Sequence, residues 1–245
     1  WYQDDYGGAK MDPNCGVLHT TEGTTLPGYS GGRLAPNYTA VPNFRAKRLD
    51  WFAHFPDERS SRALVNLAGG VETNTLNCVQ VELVGTCAPG TRAAWKRAGR
   101  AFIYWPDAPD WALEDLADFI ADQHKRHGTP ITSPAGDVWT AYPESYGPGG
   151  QRLNMAQWRR LRGWVGHQHV PENVHGDPGR FPWGKVEAMA KGGKATAAKK
   201  TAAKKPTPTP RWDDLYETAA AIHRDFKMKD AEAVMALAKK HSTKH

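Results

Sequence analysis

Two places in the chain hold side chains whose types and spacing suit hydrolytic metal chemistry. The first is His19, which ends the apolar run Gly16-Val17-Leu18 and precedes the polar turn Thr20-Thr21-Glu22-Gly23. The second is the segment GHQHVPENVHGDPG at 166–179, where His167, His169, His175 and Asp177 fall within eleven residues. Pro171 and Pro178 exclude a regular helix through it, because proline lacks the N–H and crowds the preceding turn. The segment therefore reads as a rigid loop able to aim several donors inward. A catalytic zinc needs three protein ligands and one open position for water. His167 and Asp177, with the distant His19, would supply two nitrogens and an oxygen. Solvated loop histidines that bind nothing would look the same locally, so the residue types alone leave both readings open.

Such residues need a frame. Cys15 to His19 is a short apolar run, and Asn37 to Val41 reads as a strand. Cys78 to Val84, CVQVELV, is β-branched and bounded by Asn77 and Gly85, as strands are. Its alternation puts Glu82 on the face of Gln80, opposite Val81 and Leu83. From Asp110, read as a cap, to about His127, the residues Leu113, Leu116, Ala117, Ile120 and His124 share one helix face. Residues 129–150, rich in Gly, Pro, Ser and Tyr, form a long loop, and Asn154 to Arg162 is a second helix. Strands with intervening helices predict an α/β (α+β) domain.

The composition changes near residue 190. Residues 1–188 are mixed and aromatic-rich, and the expected catalytic domain. Residues 189–210, with KGGKATAAKKTAAKKPTPTP from Lys191, hold too little apolar surface to offset ordering entropy and read as a linker. In 211–245, Leu215, Ala219, Ile222 and Phe226 recur at helical spacing, so a short helical C-terminal segment is expected there, a wall-targeting or oligomerising element.

The chain is 40% apolar, with net charge +6 and a pI of about 9.2. A basic balance favours polyanionic partners. Its three cysteines, Cys15, Cys78 and Cys87, form no C-x-x-C, which excludes a cysteine-rich zinc knuckle; Cys78 and Cys87 either pair or remain free buried thiols. No apolar run is long enough for a membrane span. The opening Trp1–Tyr6 does not read as a signal peptide.

HTTEG at 19–23, VQVELVG at 79–85 and GHQHVPENVHGDPG at 166–179, in that order, resemble the zinc-dependent N-acetylmuramoyl-L-alanine amidases related to peptidoglycan recognition proteins. In wording they are similar to the endolysins of phages that infect actinobacteria. The resemblance spans roughly residues 12–184. It implies a central mixed β-sheet flanked by helices, with one zinc ion in a cleft, and His19, His167 and Asp177 as its ligands. His169 and His175 are then not the first-choice ligands. Glu82 falls where that branch carries a glutamate near the reacting water, which would relay its proton to the leaving amine. The oxyanion needs a donor. Relatives use a lysine two residues before the last ligand, or a strand tyrosine. This chain has His175 at the first position and Tyr38 at the second, so both are candidates, His175 in its protonated form. A Trp-His-Ala triplet common in relatives is absent, and Asn66, Asn74 and Asn77 become candidate substrate contacts.

The resemblance thus implies hydrolysis of the amide between N-acetylmuramic acid and L-alanine of bacterial peptidoglycan, by an enzyme held in the host cytoplasm until release to the wall. The basic linker suits anionic wall polymers or a plain tether, and nothing in the folded part fits a specific nucleic-acid reader. Two alternatives stand beside it: a non-catalytic peptidoglycan-binding protein, and a zinc peptidase acting within the stem peptide.

Overall fold

The computed structural model of the chain describes residues 7–65, 74, 76–136 and 139–192. Five strands form one sheet: β1 (Cys15–Thr20), β2 (Tyr38–Asn43), β3 (Arg48–Ala53), β4 (Cys78–Leu83) and β5 (Gly163–Gly166). Their spatial order is β3-β2-β4-β1-β5. β2, β4, β1 and β5 run parallel, and β3 returns antiparallel to β2 through a tight turn. β1 lies second from one edge and is buried along its whole length. This is the expected mixed sheet flanked by helices.

Strand alternation sorts the side chains into two layers. Leu18, Ala40, Val79, Val81, Leu83 and Trp164 leave one face and build the main core. The helix α2 (Asp110–His127) covers that face with Ala112, Leu113, Leu116, Ala117 and Ile120, and packs against α4 (Trp183–Gly192). Cys15, Val17, Cys78 and Val165 leave the other face and pack with Trp158, Leu161 and Val170. Gln80 and Glu82 share that second face, as their alternation predicts.

Helix α2 has the expected bounds, but Asp110 begins it rather than caps it: the cap position is Pro109, with no side-chain cap bond. His124, placed on the apolar face by its spacing, is exposed, and Gln123 is buried instead. The second helix shortens to α3 (Met155–Arg159), opened by a reciprocal capping box between Asn154 and Gln157. Helix α1 (Pro89–Arg97) buries no residue and is not among the elements expected from the sequence. Helix α4 runs through Gly192 with Ala190 buried, carrying the fold past the expected boundary at residue 188. From residue 193 the expected linker and helical C-terminal segment lie outside the described residues. No described helix is long and apolar enough to cross a membrane. All three cysteines are free and buried, with Cys15 and Cys78 in register on adjacent strands.

Candidate metal centre

The parallel strands deliver their C-terminal ends to one edge of the sheet, and the candidate residues collect there. His19, near the end of β1, lies in register with Glu82 on β4, and Glu82 with Thr39 on β2. β5 then ends at Gly166 and the chain turns through one 3-10 turn, His167–His169. Gly166 is required by close approach: a Cβ there would stand 2.7 Å from both Pro178 and the Trp139 ring. That approach lets the returning segment lie against the strand, where Gln168 N–H donates to the Asp177 carbonyl at 3.0 Å.

His19, His167 and Asp177 thereby meet, each almost wholly buried. Their donor atoms all lie within 4.8 Å of one another. His19 Nδ1 is 3.0 Å from His167 Nδ1, His167 Nδ1 is 3.3 Å from Asp177 Oδ1, and His19 Nδ1 is 3.8 Å from Asp177 Oδ2. The second carboxylate oxygen is also tied to the strand, accepting the Thr20 N–H at 3.0 Å.

The donor set fits a divalent cation. His167 Nε2 faces Asn173 Oδ1 at 3.1 Å. That amide is oriented by its other bonds: its oxygen accepts Val65 N–H at 3.3 Å, and its nitrogen donates to the Pro171 carbonyl at 3.1 Å. An oxygen acceptor opposite Nε2 places the neutral ring's proton there and leaves Nδ1 with a lone pair. Nδ1 then faces a second imidazole nitrogen and a carboxylate, an arrangement that positive charge among them stabilises. Two imidazoles and a carboxylate are the ligand types of a hydrolytic zinc site with one position left for water.

Burial and mutual charge shift the titration of His19, Asp177 and Glu82. Burial, then the neighbouring His167, pushes the His19 pKa down to about 3. Burial alone would raise the Asp177 carboxyl, but His167 by charge and hydrogen bond, then His19 and the Thr20 N–H, hold it well below the usual carboxylate range. Glu82 moves the other way. Burial, then the charges of Asp177 and Glu22, push it well above its ordinary value, and its Oε2 is buried with no hydrogen-bond partner among the described residues.

The other candidates separate. His175 stacks on His167, with ring centroids 4.8 Å apart and planes 8° from parallel. Burial and then His167 lower its pKa, which favours the neutral ring over the protonated form expected of it. His169 is structural: its Nδ1 accepts the Gly166 N–H at 2.9 Å, and its ring meets Trp139 edge-on.

Tyr38 is not brought to the cluster. It pairs with Val81 and packs in the main core against Phe119, on the opposite face from Glu82. Its hydroxyl donates to Asp57 at 2.7 Å, and Asp57 also binds Gln123, Arg126 and His127. One position along β2, Thr39 faces the cluster side, with its hydroxyl bonded to Tyr29 and His54. A one-residue step along a strand reverses the face, and sequence spacing alone did not place Tyr38 on the correct one.

Asn74 is buried, with its amide engaged by Leu64 and Gln80, and Asn77 accepts the Asp12 N–H at 3.4 Å. Asn66 lies outside the described residues. Arg152, which carried no sequence signal, reaches four backbone carbonyls: Gly147, His167, Val170 and His175. Asn173, inside the histidine-rich motif, was legible as a position but not as the partner of His167.

No protein-family model matches this sequence, and no curated protein matches it. The geometry by itself supports a metal-dependent hydrolase on an α/β frame.

Proposed function

We propose that the protein is a zinc-dependent amidase that cleaves the bond between N-acetylmuramic acid and L-alanine in bacterial peptidoglycan. One observation carries the hydrolase reading: Glu82, with a buried and unpartnered carboxyl oxygen, stands in register beside His19 of the His19–His167–Asp177 cluster. The resemblance of HTTEG, VQVELVG and GHQHVPENVHGDPG to the peptidoglycan amidases supports the choice of substrate.

Zinc at the three ligands supplies Lewis acidity, which lowers the pKa of a water toward ~7 and polarises a carbonyl. The protein's residues do the rest. Glu82 accepts the proton of the attacking water and passes one to the amine of L-alanine as the C–N bond breaks. Burial raises its pKa, and positive charge beside it would favour the carboxylate form that accepts a proton. His175 donates an N–H from its neutral ring toward the carbonyl oxygen as negative charge grows there. Asp177, held by Thr20, and His167, held by Asn173, keep their donor atoms aimed inward.

The test is digestion of purified peptidoglycan with and without a chelator, followed by mass spectrometry. Stem peptides beginning with L-alanine, lost on chelation and restored by zinc, are expected. New termini within the peptide would make the protein a zinc peptidase. Binding without any metal-dependent product would make it a wall-binding protein.

A further inference from the structure

We propose that Gln80 is the positioning residue of His19, accepting the His19 Nε2–H and so fixing the tautomer that turns Nδ1 toward the metal. This rests on the metal-dependent reading of the site, though not on its substrate.

Gln80 lies on β4 opposite Val17, two residues before His19, and shares its face of the sheet. It is fully buried, as is His19. Among the described residues, His19 Nε2 and Gln80 Oε1 are buried here without a completed hydrogen bond. The Gln80 side chain lies one residue pair along the same face from the His19 ring. A bond between them would satisfy both, whereas leaving both unpaired in the core would cost about 1–3 kcal/mol for each.

The orientation of Gln80 follows from the backbone. Leu64 N–H donates to Asn74 Oδ1 at 2.9 Å, and Asn74 Nδ2 donates back to the Leu64 carbonyl. A residue's main chain has one donor and one acceptor, so this reciprocal pair defines which end of the Asn74 amide is oxygen. That oxygen accepts from Gln80 Nε2 at 2.7 Å. The Gln80 nitrogen is therefore spent on Asn74, and its oxygen is the end left for His19. An oxygen accepts only, so the His19 proton belongs on Nε2 and the lone pair on Nδ1.

The next residue repeats the device. Val65 N–H reaches Asn173 Oδ1, the acceptor opposite His167 Nε2. One dipeptide, Leu64-Val65, thus anchors the outer partners of both histidines. Outer partners of this kind fix ring orientation and tautomer, and their loss costs about 10–100-fold in metal affinity.

The experiment uses the full chain. Long-range 1H–15N NMR on the histidine-labelled, metal-free protein reads the His19 tautomer, and competition against a chromophoric chelator reads zinc affinity. We expect the proton on Nε2 of His19. Gln80→Met, which keeps the shape and removes the acceptor, should weaken zinc binding about 10–100-fold. A wild-type His19 with its proton on Nδ1, or a Gln80→Met protein with unchanged zinc affinity, overturns the proposal. Should Gln80→Met fail to fold, the wild-type tautomer decides alone. Neither readout involves peptidoglycan, so the amidase reading can fail while this one stands, and the reverse.

Discussion

His19 and Glu82 sit opposite one another across the β1–β4 pair, with both side chains on the same face of the sheet. A candidate metal ligand and a candidate proton carrier are thus placed by main-chain pairing in the interior of the sheet. Glu82→Gln removes the carboxylate and leaves the three ligands in place. It should retain stoichiometric zinc and lose about 100-fold or more in turnover. Zinc content by atomic absorption and release of stem peptides measure the two separately. Full activity in this variant would remove Glu82 from the chemistry.

Tyr38 gives the converse case. Tyr38→Phe removes one of the donors to Asp57 on the far face of the sheet. Stability should fall by about 1 kcal/mol in urea unfolding, with zinc affinity and turnover per zinc-bound molecule unchanged. A selective loss of turnover would put the phenol back in the site.

Arg152 ties the histidine-bearing loop, through the carbonyls of His167, Val170 and His175, to the carbonyl of Gly147. Arg152→Ala leaves those acceptors to water or unpaired. About 2 kcal/mol of stability should be lost, and zinc should bind more weakly, because His167 and Asp177 are then less well held. Zinc affinity equal to the wild type would show that the strands alone set the ligand geometry.

The metal-free protein should respond to pH with opposing contributions. Burial lowers His19 to about 3 and His54 to about 4, whereas the unfolded chain protonates them near 6.5. Between about pH 6 and pH 4 the unfolded state binds more protons, so stability falls as pH falls. The slope approaches about 1.4 kcal/mol per pH unit for each histidine. Glu82 acts in the opposite sense, because its raised pKa lets the folded state hold a proton that the unfolded state releases above 4.5. Removing that offset with Glu82→Gln should steepen the loss of stability between pH 6 and pH 5. Urea titrations at both pH values in the presence of chelator provide the measurement, and equal slopes in the two proteins would rule out a raised Glu82.

Helix α4 buries Trp183, Val186 and Ala190 against the main core. A chain ending after Gly192 should unfold cooperatively and bind zinc. One ending before Trp183 loses those side chains and should lose most of its stability, since large core truncations cost about 3–5 kcal/mol each. Circular dichroism melts of the two proteins distinguish the outcomes.

The sequence by itself determined the elements with strong internal pattern. Alternation in Cys78–Leu83 separated Gln80 and Glu82 from Val79, Val81 and Leu83, and helical periodicity bounded Asp110–His127. It also supplied His19, His167 and Asp177 as a candidate set, because ligand chemistry is written in residue types and Pro171 and Pro178 denied the loop a helix. Tertiary structure decided the rest. β5 is four residues with a glycine at each end, and β1 alone makes it a strand. Which imidazoles converge depends on Gly166 admitting Pro178 and on Asn173 turning His167, contacts between residues that no local pattern links. The face occupied by Tyr38 depends on a register that only strand pairing sets. Periodicity reports which way a side chain leaves its own element; what it meets there is a property of the packed chain.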